Sequence, residues 1–115
     1  MDNADKSSKQ PSYSRGTRHG LKLLGSEIRR IRSKRKMTQN ELASRVGCSR
    51  DSIIAIEAGK PTVAIGAAFE AASVLGIELF GGRDRVVREI ERVQSELNLL
   101  PDRIRVKKPE FDDDF

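Results

Sequence analysis

GCSRDSIIAIEAGK, residues 47–60, opens on a glycine that breaks a helix, places a serine two residues later that can cap the next one, and then runs through residues that coil. Ile53 and Ile56, three apart, form an apolar rear, and Ser49, Arg50, Asp51 and Ser52 form a polar leading edge. Gly59 ends the helix, and Pro61 keeps it from resuming. Just upstream, Thr38 and Glu41 have the Thr-x-x-Glu spacing of a capping box, and Leu42, Ala43 and Val46 supply an inward face up to Gly47. The two helices are joined by only about three residues, the short connection of a helix-turn-helix over residues 39–58.

Working outward, Leu24, Ile28 and Ile31 put an apolar stripe on a first helix that begins near Leu21. Residues 1–20 have almost nothing to bury and are expected to form a flexible basic arm. Its Arg15 and Arg18 can lie along a phosphate backbone or in a minor groove, or simply stay mobile in solvent. On the other side, Thr62 is the predicted cap of a fourth helix whose Val63, Ile65, Ala68, Phe69, Ala72 and Leu75 fill the core as far as Gly76, giving a compact domain over 21–80.

Gly81 and Gly82 mark a joint. Beyond it Val86, Ile90, Val93, Leu97 and Leu100 recur at heptad spacing along a helix over 83–100. Roughly two heptads are too few for an autonomous coiled coil, so the seam is expected to pack on the core or on a second subunit, and the pattern leaves both open. Pro101 stops this helix, residues 103–106 alternate like a short strand, and the 101–115 tail ends on an acidic segment with Asp112, Asp113 and Asp114. The expected fold is all-α: a four- to five-helix bundle containing a helix-turn-helix, plus the C-terminal helix and short strand.

Composition agrees with that class. The 115 residues suit one small domain with appendages, and 37% hydrophobic with 4% aromatic residues calls for a core of Leu, Ile, Val and Ala. A net charge of +5 and a pI near 9.7 favour an anionic partner. Six of the eight positions from Arg29 to Lys36 are cationic: Arg29, Arg30, Arg32, Lys34, Arg35 and Lys36. Such a run is either a solvated face or the flank of a nucleic-acid site.

Cys48 is the sole cysteine and His19 the sole histidine, so neither a disulfide within the chain nor a clustered metal site is expected, and no cofactor is implied. With no Gly-rich phosphate loop and no nucleophile beside a base, an enzyme is not expected. No apolar run reaches the length of about 20 residues needed to cross a bilayer, and no signal-peptide core is visible, so a cytoplasmic protein with no membrane contact is expected, nucleoid-associated when bound to DNA.

A helix with polar forks at its N-terminus, held steeply by its predecessor, can press those forks on base edges in a major groove. Arg50 can donate to guanine O6 and N7, and Asp51 can accept from cytosine N4. Asp51 equally suits the helix dipole, and Arg50 can be merely solvated. Gln39 and Ser52 can donate to phosphate, as can backbone N–H groups at the start of the second helix, and Lys60 can reach the same backbone. Ile54 can meet a thymine methyl or cover the neighbouring helix, and the covering role is preferred. The expected partner is double-stranded operator DNA bound by a homodimer that reads half-sites about 34–36 Å apart. The alternative is a protein–protein interaction module whose basic surface takes an acidic partner.

"LGSEIRRIRSKRKMTQNELASRVGCSRDSIIAIEAGK", continued by "PTVAIGAAFEAASVLGI", resembles the Cro/C1-type (XRE-like) helix-turn-helix of lambdoid phage repressors and many bacterial regulators. The resemblance rests on Arg32, Thr38, Gln39, Glu41, Leu42, Ala43, Gly47, Ser49, Ile53, Glu57 and Gly59 taken together. It implies a lambda-repressor-like bundle, a phosphate contact from Gln39, base contacts from Arg50, Asp51 and Ser52, and an ion pair between Arg32 and Glu57 beneath the DNA-facing surface; Thr38, Ser49 and Lys60 are further candidate phosphate contacts. Ala55 departs from the pattern, since relatives often carry a longer polar base reader there. "GGRDRVVREIERVQSELNLLPDRIRVKKPEFDDDF" resembles the C-terminal extension of HipB-like antitoxins, which implies an autoregulating repressor of a toxin–antitoxin pair with a HipA-like kinase toxin as partner. The alternative is a stand-alone regulator of the same family.

Overall fold

The structure, a computed structural model, describes residues 12–101. Among them are five helices: α1 (Arg15–Lys34), α2 (Gln39–Val46), α3 (Arg50–Glu57), α4 (Ile65–Val74) and α5 (Arg83–Asn98). No described residue is in a strand, in keeping with an all-α fold. The stretch 103–106 and the acidic tail lie outside the described residues.

Local hydrogen bonds set most helix ends. The Thr38 N–H donates to Glu41 Oε1 at 2.8 Å and the Glu41 N–H to Thr38 Oγ1 at 3.0 Å, closing the capping box of α2. Gly47 ends α2 at φ 87°, and its N–H donates to the Ala43 carbonyl at 2.8 Å. Ser49 then caps α3, its Oγ accepting from the Ser52 N–H at 3.1 Å. The connection between α2 and α3 is therefore residues 47–49.

Two expected boundaries move. Residues 15–20, expected in a flexible arm, are the first turns of α1, capped by Ser14 Oγ, which accepts from the Thr17 N–H at 3.3 Å. Once residues 21–34 are packed, extending the helix adds one hydrogen bond per residue without a new nucleus, so polar residues suffice. Thr62 does not cap α4. The helix enters through Ala64 with no side-chain cap, and Thr62 sits in the preceding turn, which tucks Val63 against the core.

The centre is made of Ile28, Leu42, Ile53 and Leu75, one large side chain each from α1, α2, α3 and the C-cap of α4, all at most 2% exposed. Each contributes about 1.5–3 kcal/mol by leaving water. Ala43, Ile56, Ala68 and Ala71 complete the cluster. Small residues on α4 let α2 approach closely, and this leaves Ile65 73% and Phe69 41% exposed, contrary to the expectation that both fill the core. At the foot of α4 the Arg35 Nη2 donates to the Leu75 carbonyl at 3.0 Å, tying the end of α1 to the end of α4.

The described residues divide into two compact units, the first running to Ile77 and the second from Glu78. In the second, Phe80, Gly81 and Gly82 are three successive residues with positive φ, and Gly82 is the N-cap of α5. No residue of α5 is buried. Along its apolar stripe Ile90, Val93 and Leu97 are each 42% exposed and Leu100 40%, while Val86 is half-buried.

One close approach orders the first unit. A Cβ at Gly25, in mid α1, would collide with the backbone carbonyl oxygen of Ile56 and lie 2.7 Å from that of Glu57. The last turn of α3 thus rests directly on the backbone of α1. Gly20 is also inside α1 but has open space around it. Gly25→Ala is expected to destabilise the fold by about 3 kcal/mol through overpacking, although Ala is the better helix former. Gly20→Ala, which gains the same helix propensity without a clash, is expected to stabilise by about 0.5–1 kcal/mol. Urea unfolding of the two variants checks both signs.

Candidate nucleic-acid interface

The starts of α2 and α3 and the basic end of α1 enclose a groove of ≈ 650 Å³. Its walls come from Arg29 and Arg32 of α1, from Thr38, Gln39 and Asn40 at the entry to α2, and from Arg50, Ile54, Glu57 and Ala58 of α3 and its C-cap. Beneath it the Arg32 Nε donates to Glu57 Oε2 at 2.6 Å and Nη2 to Glu57 Oε1 at 2.9 Å, a bidentate pair with side chains 12% and 4% exposed. The third guanidinium arm donates to the Met37 carbonyl at 2.9 Å. One Arg32 side chain therefore holds the chain entering α2 and the last turn of α3 at once. The hydrogen-bonded Glu57 carboxylate keeps the Arg32 guanidinium above its ordinary pKa, against the opposing effect of burial.

Gln39 joins this network, its Nε2 donating to Glu57 Oε1 at 3.1 Å. One amide hydrogen is thus committed inside the protein and the other remains for a ligand. Thr38 and Ser49 are the helix caps described above, and Ser49 Oγ is also 3.1 Å from Ser52 Oγ. Among the residues expected to contact DNA, Thr38, Gln39, Ser49 and Ser52 are therefore already engaged in intramolecular hydrogen bonds. Arg50, Asp51 and Lys60 are exposed and form no ion pair among the described residues.

The arrangement sorts the basic run. Arg30 is bound to Glu27 on the surface of α1 at 2.8 Å, which holds the Glu27 carboxyl below its usual range. Arg32 is internal, and Arg35 is on the Leu75 carbonyl. Arg29 is exposed, unpaired among the described residues and in the wall of the groove beside Arg50. The cationic character of the groove thus comes from Arg29 and Arg50, not from the whole run.

Asn40 has no role in the reading of the sequence, yet it lines the groove. Its place one residue inside a capped helix start is the only signal in the sequence that brings it there. Ile54, expected to cover a neighbouring helix, is 38% exposed and also lines the groove. At 100° per residue, Asp51, Ile54, Ala55 and Ala58 form the ridge of α3 opposite Ile53 and Ile56. The eight residues of α3 span about 12 Å, the width of a major groove.

Elsewhere, Cys48 packs against the core and burial holds its thiol above the ordinary pKa, which suits a packing residue rather than a nucleophile. Among the described residues no helix is long and apolar enough to cross a membrane. No group of three His, Cys, Asp or Glu side chains among them could hold a metal ion.

A family model described as "Helix-turn-helix" matches residues 28–81, which takes in the groove, the ion pair and the whole of α2, α3 and α4. No curated protein matches the chain.

Breaking the internal pair strands a charge. Glu57→Gln and Arg32→Leu are each expected to cost about 3–5 kcal/mol, whereas Arg32→Met with Glu57→Leu recovers much of that loss because no unpaired charge stays behind. Denaturant titration of the single and double variants measures the recovery.

Proposed function

We propose that residues 28–81, matched by the helix-turn-helix family model, form a DNA-binding domain of the Cro/C1 type, and that the protein is a transcription regulator acting as a sequence-specific repressor that binds operator DNA as a homodimer. The observation that carries this reading is the state of Arg50. It stands exposed and unpaired at the head of α3, on a helix whose far end is pinned by Arg32 and Glu57. Its planar guanidinium, not engaged by any ion pair among the described residues, suits bidentate donation to guanine O6 and N7.

Asp51, at the start of the outer ridge of α3, accepts from cytosine N4. Ser52 adds a hydroxyl beside it, and Ile54 presents its side chain to a thymine methyl. Ala55 leaves the middle of the ridge without a polar reader, so apolar contact and groove shape take a larger share of recognition. Gln39 offers its uncommitted amide hydrogen to phosphate, together with the Thr38 and Ser49 hydroxyls, while Lys60 adds a charge after α3.

The homodimer is supported by α5. Its seam of Val86, Ile90, Val93, Leu97 and Leu100 is apolar, heptad-spaced and largely exposed, and a second copy is the self-complementary surface that would cover it. The finer proposal is an autoregulating antitoxin paired with a HipA-like kinase toxin, supported by the resemblance of residues 81–115 to HipB-like extensions. Co-expression with the product of a neighbouring kinase-like gene should give one co-eluting complex. Two separate peaks would leave a stand-alone regulator.

Selection from a randomised duplex pool should yield a two-fold symmetric consensus for the wild-type protein. For Arg50→Ala, the ratio of consensus to scrambled-duplex affinity is expected to fall about tenfold or more, with weaker loss of general affinity. Unchanged preference in that variant would refute the role given to Arg50. No preference in the wild type would favour the interaction-module alternative.

A further inference from the structure

The helical state of residues 15–20 places their charges on a defined line. At 100° per residue, Arg15, Arg18, Lys22, Gly25, Arg29 and Arg32 fall within about 100° of one another on α1. Two of these positions are already located: Gly25 lies against the last turn of α3, and Arg29 is in the wall of the groove. Lys22 marks the point where α3 ends, because a Cβ at Gly59 would lie 3.0 Å from the Lys22 Cα. Arg18 and Arg15 continue the line about 6 and 10 Å beyond that point, so exposed cations run for about 21 Å from Arg15 to Arg29.

The charges on this line are not neutralised within the fold. Residues 15–26 contain no acidic side chain, and the first one in α1, Glu27, is bound to Arg30 on another flank. Arg15, Lys22 and Arg29 have no ion pair among the described residues, and Arg18 donates only to the Tyr13 carbonyl, at 2.7 Å. Cations in the first turns of a helix also oppose its dipole, which favours carboxylates there. Local helix chemistry therefore gives no reason for these residues, and a helix that breaks a local rule on one face points to a ligand on that face.

We propose that the first two turns of α1 are a second DNA contact, in which Arg15, Arg18 and Lys22 hold the sugar-phosphate backbone flanking the groove entered by α3. The proposal rests on α3 docking in a major groove. The partner follows from charge and continuity: the line begins in the wall of the DNA-facing groove and extends past the end of α3, where a duplex presents one phosphate charge per about 1.7 Å of its axis. These contacts add affinity without reading sequence.

The test is the salt dependence of binding to a random-sequence duplex a few helical turns long. The triple variant Arg15→Gln, Arg18→Gln, Lys22→Gln keeps good helix formers at exposed positions, and circular dichroism checks that α1 is retained. Its log–log salt slope is expected to be shallower than wild type by about 2–3, while the consensus-to-scrambled ratio is preserved. The double variant Arg30→Gln, Lys34→Gln removes charge from the opposite flank of the same helix and is expected to leave the slope unchanged.

An unaltered slope in the triple variant, or an equal loss per charge in both variants, overturns the α1 contact. If Arg50-dependent sequence preference persists in that case, only this inference fails. A wild-type slope near zero overturns the docking reading as well.

Discussion

The interaction on which the first unit depends is the bidentate pair of Arg32 with Glu57. It joins residues 25 positions apart, lies largely out of water, and is tied further by Arg32 Nη1 donating to the Met37 carbonyl and Gln39 Nε2 donating to Glu57 Oε1. Such a pair adds little net stability over a well-packed apolar substitute, because desolvation offsets most of the Coulombic gain. Its contribution is geometric. The fork geometry of arginine accepts one orientation of the carboxylate, so α1, the entry to α2 and the end of α3 meet in one arrangement. Gly25 makes that arrangement reachable by letting the carbonyls of Ile56 and Glu57 come against the α1 backbone. A side chain at that position would hold α3 away and lengthen the very bonds that orient it.

Cations that look equivalent along the chain have different fates. Arg32 becomes internal, Arg30 is compensated by Glu27, Arg35 caps α4, and Arg29 is left in the groove with Arg50. Unpaired cations on one face are what a polyanion attracts, because each phosphate they neutralise releases condensed counterions. Paired ones contribute far less. The outer ridge of α3 is, by contrast, mostly small or apolar, with Asp51 as its one charge. A duplex docked there would be held mainly through its backbone and read through few base contacts.

The second unit has a different physical problem. The apolar stripe of α5 stays largely exposed, and its ion pairs, Arg92 with Glu89 and with Glu96, lie on the surface where they contribute little. An isolated helix of 16 residues is marginal in water, and no residue of α5 is buried to support it by packing. The first unit has that packing. One large aliphatic residue from each of its four helical segments is already excluded from solvent.

Helix ends were largely legible in the sequence. Thr38 and Glu41, Gly47, Ser49 and Gly59 act through hydrogen bonds or backbone angles spanning at most a few residues, so their neighbours in the chain are also their partners in space. The helix-turn-helix and its inward Leu42, Ile53 and Ile56 follow from the same short-range rules. What the sequence did not reveal depends on distant partners. The reach of α1 back to Arg15, the exposure of Ile65 and Phe69, the arrival of Asn40 in the groove and the need for glycine at position 25 all depend on how closely whole helices approach. Local chemistry determined where the chain turns. Packing decided which cations of the basic run turn inward, Arg32 onto Glu57 and Arg35 onto the Leu75 carbonyl, because those contacts join residues far apart in the chain, whereas the pair of Arg30 with Glu27 is local to α1.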